Sequence, residues 1–218
     1  MQTIILNGDQ VWKDWFPNDV TKYALLVEKL LETDPDGRQV SNIGGYQSPD
    51  DLNKREEFKD LVDTIEQQST QIHQELELID QVKFTVINMW ANINWQGHSN
   101  SFHQHVDPPS QYRIASSPII SGSFYLNVPQ NSGRIGFYSS RLTYNNIGLE
   151  PPKVTIPEIF LKNKNNELLS PIQYYQPSPG DLLMFFADVF HGVEANKNPV
   201  DKRISISFNL GLKLIEEV

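Results

Sequence analysis

The stretch RISISFNL at residues 203–210 decides the fold, because every second residue in it is apolar. One set of alternate positions holds Ile204, Ile206, Phe208 and Leu210, and the other holds Arg203, Ser205, Ser207 and Asn209. A period of two residues is typical of a β-strand, and the apolar set predicts one buried face. The other face is unusually polar, as it would be if it lined a small enclosed pocket.

The same period recurs upstream, at residues 83–95 and 119–128. Residues 182–186 form a short, fully apolar run directly after the turn sequence Pro179-Gly180-Asp181, which also indicates a strand. Two connections, 106–118 and 139–176, are too long for hairpin turns and are predicted to frame the mouth of a pocket. Several strands with turn signals and one polar face favour a mainly β fold of the two-sheet barrel or jelly-roll type.

The N-terminal part has the helical period instead. Residues 18–33 predict a first helix, capped by Asn18 or Asp19. Ser48-Pro49 is typical of a helix start, and the apolar face that follows predicts a second helix to about residue 79. We therefore predict a single domain over residues 1–218, in which a mainly helical segment, 1–80, supports a β-barrel core, 81–214.

Composition narrows the possible functions. The formal net charge of −9 argues against generic nucleic-acid binding, which needs a positive surface. No apolar run is long enough to predict a membrane span, and the N-terminus does not have the pattern of a signal peptide. Cysteine is absent, which excludes disulfides, Cys-ligated zinc and a thiol nucleophile, and suits a cytoplasmic protein.

Three of the five histidines, His98, His103 and His105, fall within eight residues. Residues 101–107 alternate, so that His103, His105 and Asp107 are predicted to share one strand face, where neighbouring side chains can converge on one metal ion. His191 is the candidate for a third ligand from a distant strand. The alternative is that these histidines make only ordinary hydrogen bonds, as we expect for His98 and His73.

Arg203 follows His191 by twelve residues and begins the polar-faced strand. A fixed guanidinium at this position offers two parallel hydrogen bonds to a carboxylate. The alternative is a surface arginine at the start of an edge strand.

Together these residues resemble the 2-oxoglutarate/iron(II) oxygenases, and more narrowly a phage and bacterial branch of that family. The resemblance runs from about residue 41 to 211 and rests on SNIGGYQS (41–48), WANIN (90–94), residues 97–105, SGSFYL (121–126), Gly180-Asp181 and RISISFN (203–209). It implies a double-stranded β-helix, a cupin-like jelly roll, that uses Fe(II), 2-oxoglutarate and O₂. It also implies that His103 and His191 bind iron, and that Arg203 with Ser205 binds the distal carboxylate of 2-oxoglutarate. Tyr125, Asn92 and Asn94 are predicted to line the same pocket.

The third ligand has two candidate registers. His103 and His105 with His191 match the branch, whereas His105 and Asp107 with His191 restore the two-histidine, one-carboxylate set of the wider superfamily. We favour the first. Three neutral imidazoles leave the Fe(II) centre more positive than two imidazoles and a carboxylate.

The resemblance implies oxidative decarboxylation of 2-oxoglutarate coupled to hydroxylation, or a related C–H oxidation, of an unknown small-molecule or peptide substrate. Two alternatives remain: a cupin-like three-histidine metal enzyme without 2-oxoglutarate, and a non-catalytic binding barrel. The 106–118 segment is a candidate lid, Asp188 a candidate hydrogen-bond partner of His191, and the N-terminal helical face a candidate surface for a homodimer.

Overall fold

The computed structural model describes residues 1–6, 9–16, 20–107, 111, 113, 116–138 and 172–215. These residues form two α-helices, two short 3₁₀ turns and twelve strands. The helices are α1 (Val20–Thr33) and α2 (Lys59–Glu75), and the 3₁₀ turns are Leu52–Lys54 and Glu56–Phe58. The strands are β1 (Gln2–Leu6), β2 (Asp9–Trp15), β3 (Asn42–Ile43), β4 (Tyr46–Gln47), β5 (Val82–Asn94), β6 (Ser99–His103), β7 (Ile120–Asn127), β8 (Ile135–Tyr138), β9 (Ile172–Tyr175), β10 (Asp181–Phe186), β11 (His191–Val193) and β12 (Arg203–Leu214).

The strands form two sheets in which neighbouring strands run antiparallel. The larger sheet has the order β1-β2-β10-β7-β12-β5-β4, and the smaller has the order β3-β6-β11-β8-β9. β12 lies between β5 and β7 and pairs with both along most of its length. The stretch on which the barrel prediction was based is therefore a central strand of the larger sheet.

The two faces of the larger sheet differ as the alternation predicts. Ile204, Ile206 and Phe208 of β12 belong to an apolar core that also contains buried side chains of both helices, among them Tyr23, Val27, Leu61 and Ile65. The opposite, polar face contributes Arg203, Ser205 and Ser207 to a pocket between the sheets. The prediction of a mainly β barrel supported from outside by N-terminal helices is confirmed.

A second apolar core lies inside the barrel. It is made by buried side chains of both sheets, including Tyr125, Phe137, Leu183, Phe185 and Val189. This core fills part of the space between the sheets and borders the polar pocket, to which Tyr125 and Phe185 also contribute. Burial of these aromatic rings gives the polar residues a rigid, low-dielectric surrounding.

The N-terminal 80 residues contain more than the predicted helices. The hairpin of β1 and β2 extends the larger sheet through the pairing of β2 with β10, and neither strand was predicted. Both helix predictions otherwise locate an α-helix, although the capping positions of the first, residues 18 and 19, lie outside the described residues. None of the helices in the described part of the chain is long and apolar enough to cross a membrane.

The predicted start of the second helix at Ser48-Pro49 is wrong. Ser48 instead continues the pairing of β4 with β5: its N–H donates to the carbonyl of Ala91 at 3.0 Å, and its hydroxyl accepts the N–H of Ala91 at 2.9 Å. These bonds leave the hydroxyl engaged with a strand rather than with a helix N-terminus. The α-helix begins at Lys59 and ends at Glu75, two residues before Glu77, whose φ of 51° lies in the left-handed region.

Candidate metal centre and carboxylate pocket

His103, His105 and His191 come together at one end of the space between the sheets, and we call them the three-histidine cluster. One ring nitrogen of each residue lies within 4.8 Å of the corresponding nitrogens of the other two. The ring centroids are 4.9 Å apart for His103 and His105, 4.6 Å for His103 and His191, and 5.1 Å for His105 and His191. Such convergence allows all three imidazoles to bind a single metal ion.

Strand pairing brings His103 and His191 together, because the two residues are register partners of β6 and β11. His105 is placed differently. β6 ends at His103, so the predicted strand alternation through residue 107 is wrong. The segment leaves the sheet after His103, and the N–H of His105 donates to the carbonyl of Ala187, which follows β10, at 2.8 Å.

Each histidine uses its Nδ1 atom for a hydrogen bond to an oxygen. His103 bonds the carbonyl of Ser101 at 2.7 Å, His191 bonds the carbonyl of Val189 at 2.9 Å, and His105 bonds the side-chain Oδ1 of Asn209 at 2.7 Å. Because these oxygens only accept, each Nδ1 must carry the proton. The Nε2 atoms then present their lone pairs, as metal-binding imidazoles do.

The environment keeps these rings neutral. Burial lowers the pKa of His103. Burial lowers the pKa of His105 to about 4, with a smaller contribution from the nearby His103. Burial also lowers the pKa of His191 well below its ordinary value, and the two other histidines lower it further. Because burial disfavours protonation of all three imidazoles, their lone pairs are available to bind a metal cation.

We expect the metal-free protein to lose stability as the pH falls from 7.5 to 5.5. In this window the unfolded chain protonates its histidines near 6.5, while His105 in the folded chain stays neutral until about pH 4. The unfolded state then binds more protons, which for His105 alone lowers the free energy of unfolding by about 1 kcal/mol. Urea unfolding of the chelator-treated protein measures the effect. A His105→Gln variant should show a smaller pH dependence, and an equal pH dependence in both proteins would contradict the assignment.

The two acidic residues considered beside the cluster lie elsewhere. The carboxylate of Asp107 accepts a hydrogen bond from the hydroxyl of Ser117 at 2.7 Å and is not among the converging groups. Asp188 is exposed, and the Nδ1 partner of His191 is a backbone carbonyl instead. Of the predicted lid, residues 108–110, 112, 114 and 115 lie outside the described part of the chain, as do residues 139–171 of the second long connection.

Arg203 is buried at the start of β12, with only 2% of its surface exposed. Its Nη2 donates to Oδ1 of Asn94 at 3.1 Å, whereas Nε and Nη1 are buried and find no hydrogen-bond partner among the described residues. Burial lowers the pKa of this guanidinium. A buried cation with two unpartnered nitrogens is costly unless an anion binds to it.

The guanidinium and the histidines border one space, which we call the inner pocket. Its lining includes His103, His105, His191, Arg203, Ser205, Asn92 and Tyr125. Asn92 is fixed by a hydrogen bond from its Nδ2 to the hydroxyl of Ser207 at 3.0 Å. Burial raises the pKa of Tyr125 to about 12, so its hydroxyl keeps its proton and can donate. Asn94 does not line the pocket itself, but it holds Arg203.

Three residues near the cluster were not singled out from the sequence. Trp90 lies against His105, with ring centroids 5.6 Å apart, and Asn209 and Ser121 both contact the Nδ1 atom of that histidine. All three belong to the polar faces of predicted strands, so alternation could have found them. Trp90 and Asn209 also line a more open cleft of about 440 Å³, the outer cleft, which shares His103 and His105 with the inner pocket.

A family model described as "Putative 2OG-Fe(II) oxygenase" matches residues 88–209, more than half of the chain. The matched segment begins in β5, ends in β12, and contains all three histidines and Arg203. No curated protein sequence matches the chain.

Solved structures of similar fold include several enzymes that use 2-oxoglutarate. A prolyl-4-hydroxylase from Pseudomonas putida has a TM-score of 0.58 and 13% identity, with 92% of this chain and 91% of that chain covered. The α-ketoglutarate-dependent carbocyclase SnoK from nogalamycin biosynthesis has a TM-score of 0.61 and 14% identity, with 91% and 79% covered. HygX from Streptomyces hygroscopicus, solved with nickel and 2-oxoglutarate, has a TM-score of 0.54 and 12% identity, with 92% and 82% covered. These similarities show a shared double-stranded β-helix fold.

Proposed function

The chain belongs to the 2OG-Fe(II) oxygenase family, and on that premise we propose that His103, His105 and His191 bind its iron while Arg203 and Ser205 bind its 2-oxoglutarate. The observation that carries the proposal is the position of Arg203. It is a buried cation whose Nε and Nη1 have no partner among the described residues, and it lines the same pocket as the three-histidine cluster.

The donor set fits Fe(II). Imidazole nitrogen is a suitable ligand for iron, and three protein ligands leave room for exogenous ones. The hydrogen bonds at Nδ1 orient the three rings, and burial keeps them neutral and ready to bind. In this family, bound Fe(II) and 2-oxoglutarate activate O₂ for the oxidation of a C–H bond, releasing succinate and CO₂.

The lining of the inner pocket provides hydrogen-bond donors suited to a carboxylate. Nε and Nη1 of Arg203 have no partner among the described residues and can donate hydrogen bonds to a carboxylate, and the buried Ser205 lines the same pocket. Asn94 restrains the guanidinium through Nη2, so that little side-chain entropy is lost when the anion binds. We propose that the protonated hydroxyl of Tyr125 and the amide of Asn92 contribute to the same pocket.

We propose that the substrate reaches the metal through the outer cleft, because this cleft borders His103 and His105. The reaction we favour is hydroxylation, or a related C–H oxidation, of a small molecule or peptide. The similar structures include a prolyl hydroxylase and a carbocyclase, so the fold accommodates both kinds of chemistry. A cupin-like enzyme without 2-oxoglutarate, or a non-catalytic barrel, leaves the free N–H groups of Arg203 without a role.

Anaerobic titration of the full chain tests the proposal. We expect Fe(II) to bind once per chain, and a visible charge-transfer absorption band to appear only when both Fe(II) and 2-oxoglutarate are present. Fe(II) with succinate is the control, since succinate cannot chelate the metal through a 2-oxo acid group. Folded protein that binds Fe(II) but gives no band would refute the role of 2-oxoglutarate, and folded protein that binds no Fe(II) would refute the metal site.

Two further proposals rest on the sequence alone. The absence of cysteine supports a cytoplasmic location. The acidic net charge supports the prediction that the protein does not bind nucleic acid generically. A homodimer through the N-terminal helical face also stays a prediction, for which sedimentation of the purified chain is the direct measurement.

A further inference from the structure

We propose that Asn209 is a positioning residue that makes His105 a metal ligand by fixing which of its ring nitrogens carries the proton. This inference rests on the proposed function, since it concerns the third ligand of the same metal site. It starts from a difference among the three histidines: two are oriented by the backbone of their own segments, and one is not.

His103 and His191 are oriented locally. Each ring bonds through Nδ1 to the backbone carbonyl two residues earlier in its own segment. Those carbonyls always accept, so the tautomer of both rings follows from the backbone alone. His105 lies beyond the end of β6, and the Nδ1 partners the structure gives it are side chains of two other strands, Asn209 of β12 and Ser121 of β7.

In the structure, the amide of Asn209 faces His105 with its oxygen. Its Nδ2 donates to Oδ1 of Asn88 at 2.9 Å, which turns Oδ1 toward His105 and Ser121. The hydroxyl of Ser121 donates to that same Oδ1 at 2.7 Å. Since Oδ1 lies 2.7 Å from Nδ1 of His105 and cannot donate, a lone pair on Nδ1 would be repelled there. The proton must be on Nδ1, and Nε2 is left to bind metal.

Strand register holds this arrangement in place. Asn88, Asn209 and Ser121 are register partners across β5, β12 and β7, and so form one row perpendicular to the strands. Asn209 is 4% exposed and Ser121 is fully buried, so their side chains have little access to water. The row acts as a rigid acceptor for a ligand that would otherwise be free to rotate or to change tautomer.

The test uses Co(II) as the probe and compares the unaltered chain with Asn209→Leu, Asn209→Asp and Ser121→Ala. Loss of an outer hydrogen-bond partner of a ligating histidine typically lowers metal affinity by about 10–100-fold, and we expect Asn209→Leu to fall in that range. Asn209→Asp keeps the acceptor and adds a negative charge, so it should bind Co(II) at least as tightly as the unaltered chain. Ser121→Ala removes a hydroxyl from the same contact but leaves the acceptor, and should change affinity by less than about 3-fold.

Histidine-ring ¹⁵N NMR of the metal-free chain gives a readout that a purely structural role would not move. His105 should be the Nδ1-protonated tautomer in the unaltered chain and in Asn209→Asp, and a mixture of tautomers in Asn209→Leu. A single tautomer and unchanged Co(II) affinity in a folded Asn209→Leu protein would overturn the inference alone. Failure of the unaltered chain to bind Co(II) or Fe(II) would overturn the proposed function, and this inference with it.

Discussion

Replacing His191 by alanine is expected to lower the affinity of the protein for Fe(II) by more than about 100-fold. Loss of a hydrogen-bond partner of a ligand already costs about 10–100-fold, so loss of a ligand itself should cost more. His191 is the most buried of the three histidines and lies opposite His103 in the strand register. Iron content after anaerobic gel filtration, together with a competition titration against a chelator, measures the change.

Two comparisons separate metal binding from folding. The ring of His191 packs on Phe185, with centroids 4.6 Å apart, so alanine also leaves a cavity. His191→Gln fills more of that space without supplying an imidazole, and it should lose iron as alanine does. His73→Ala removes a histidine near the end of α2 that is not part of the cluster, and should keep its iron. Retention of one Fe(II) per chain by both His191 variants would contradict the assignment.

The barrel could be predicted because its strands are long and half-polar. In β12, apolar and polar side chains alternate between the two faces from Ile204 to Leu210, and this run is long enough to establish a period of two residues. Short elements offer no such signal: β3 and β4 have two residues each and exist only through pairing with β6 and β5. The β1–β2 hairpin was missed for a related reason, since its place is set by the distant β10.

The candidate metal site was predictable to a similar extent. His103, His191 and Arg203 were singled out by residue type and spacing, and the structure brings them to one pocket. The end of β6 at His103 was not predictable, because the alternating residue pattern continues in the sequence beyond the point where the strand ends. The hydrogen bond between His105 and Asn209 also escaped prediction, since it joins residues that are 104 positions apart in the sequence.

Arg203→Met is expected to weaken 2-oxoglutarate binding by at least about 30-fold while leaving Fe(II) binding within about 3-fold of the unaltered chain. Truncating one partner of a buried, hydrogen-bonded charge pair costs about 2–5 kcal/mol, which sets the lower bound. The metal should be spared because Arg203 contacts Asn94 rather than any histidine. Calorimetric titration of the anaerobic Fe(II)-loaded chain with 2-oxoglutarate measures the loss. Arg134→Met, at a surface arginine paired with Glu194, is the matched control and should bind the cosubstrate normally.

The thermal stability of the Arg203→Met variant is an independent test of the role of Arg203. In the absence of 2-oxoglutarate, the unaltered chain buries a guanidinium whose Nε and Nη1 have no partner among the described residues, and methionine removes that cost at similar volume. Arg203→Met should therefore unfold at the same or a higher temperature than the unaltered chain when no cosubstrate is present. Saturating 2-oxoglutarate, at about 100 times its Kd, should stabilise the unaltered chain by about 2.7 kcal/mol and the variant far less. A variant that is much less stable without the cosubstrate, yet equally stabilised by it, would mean that Arg203 supports the sheet and not the cosubstrate.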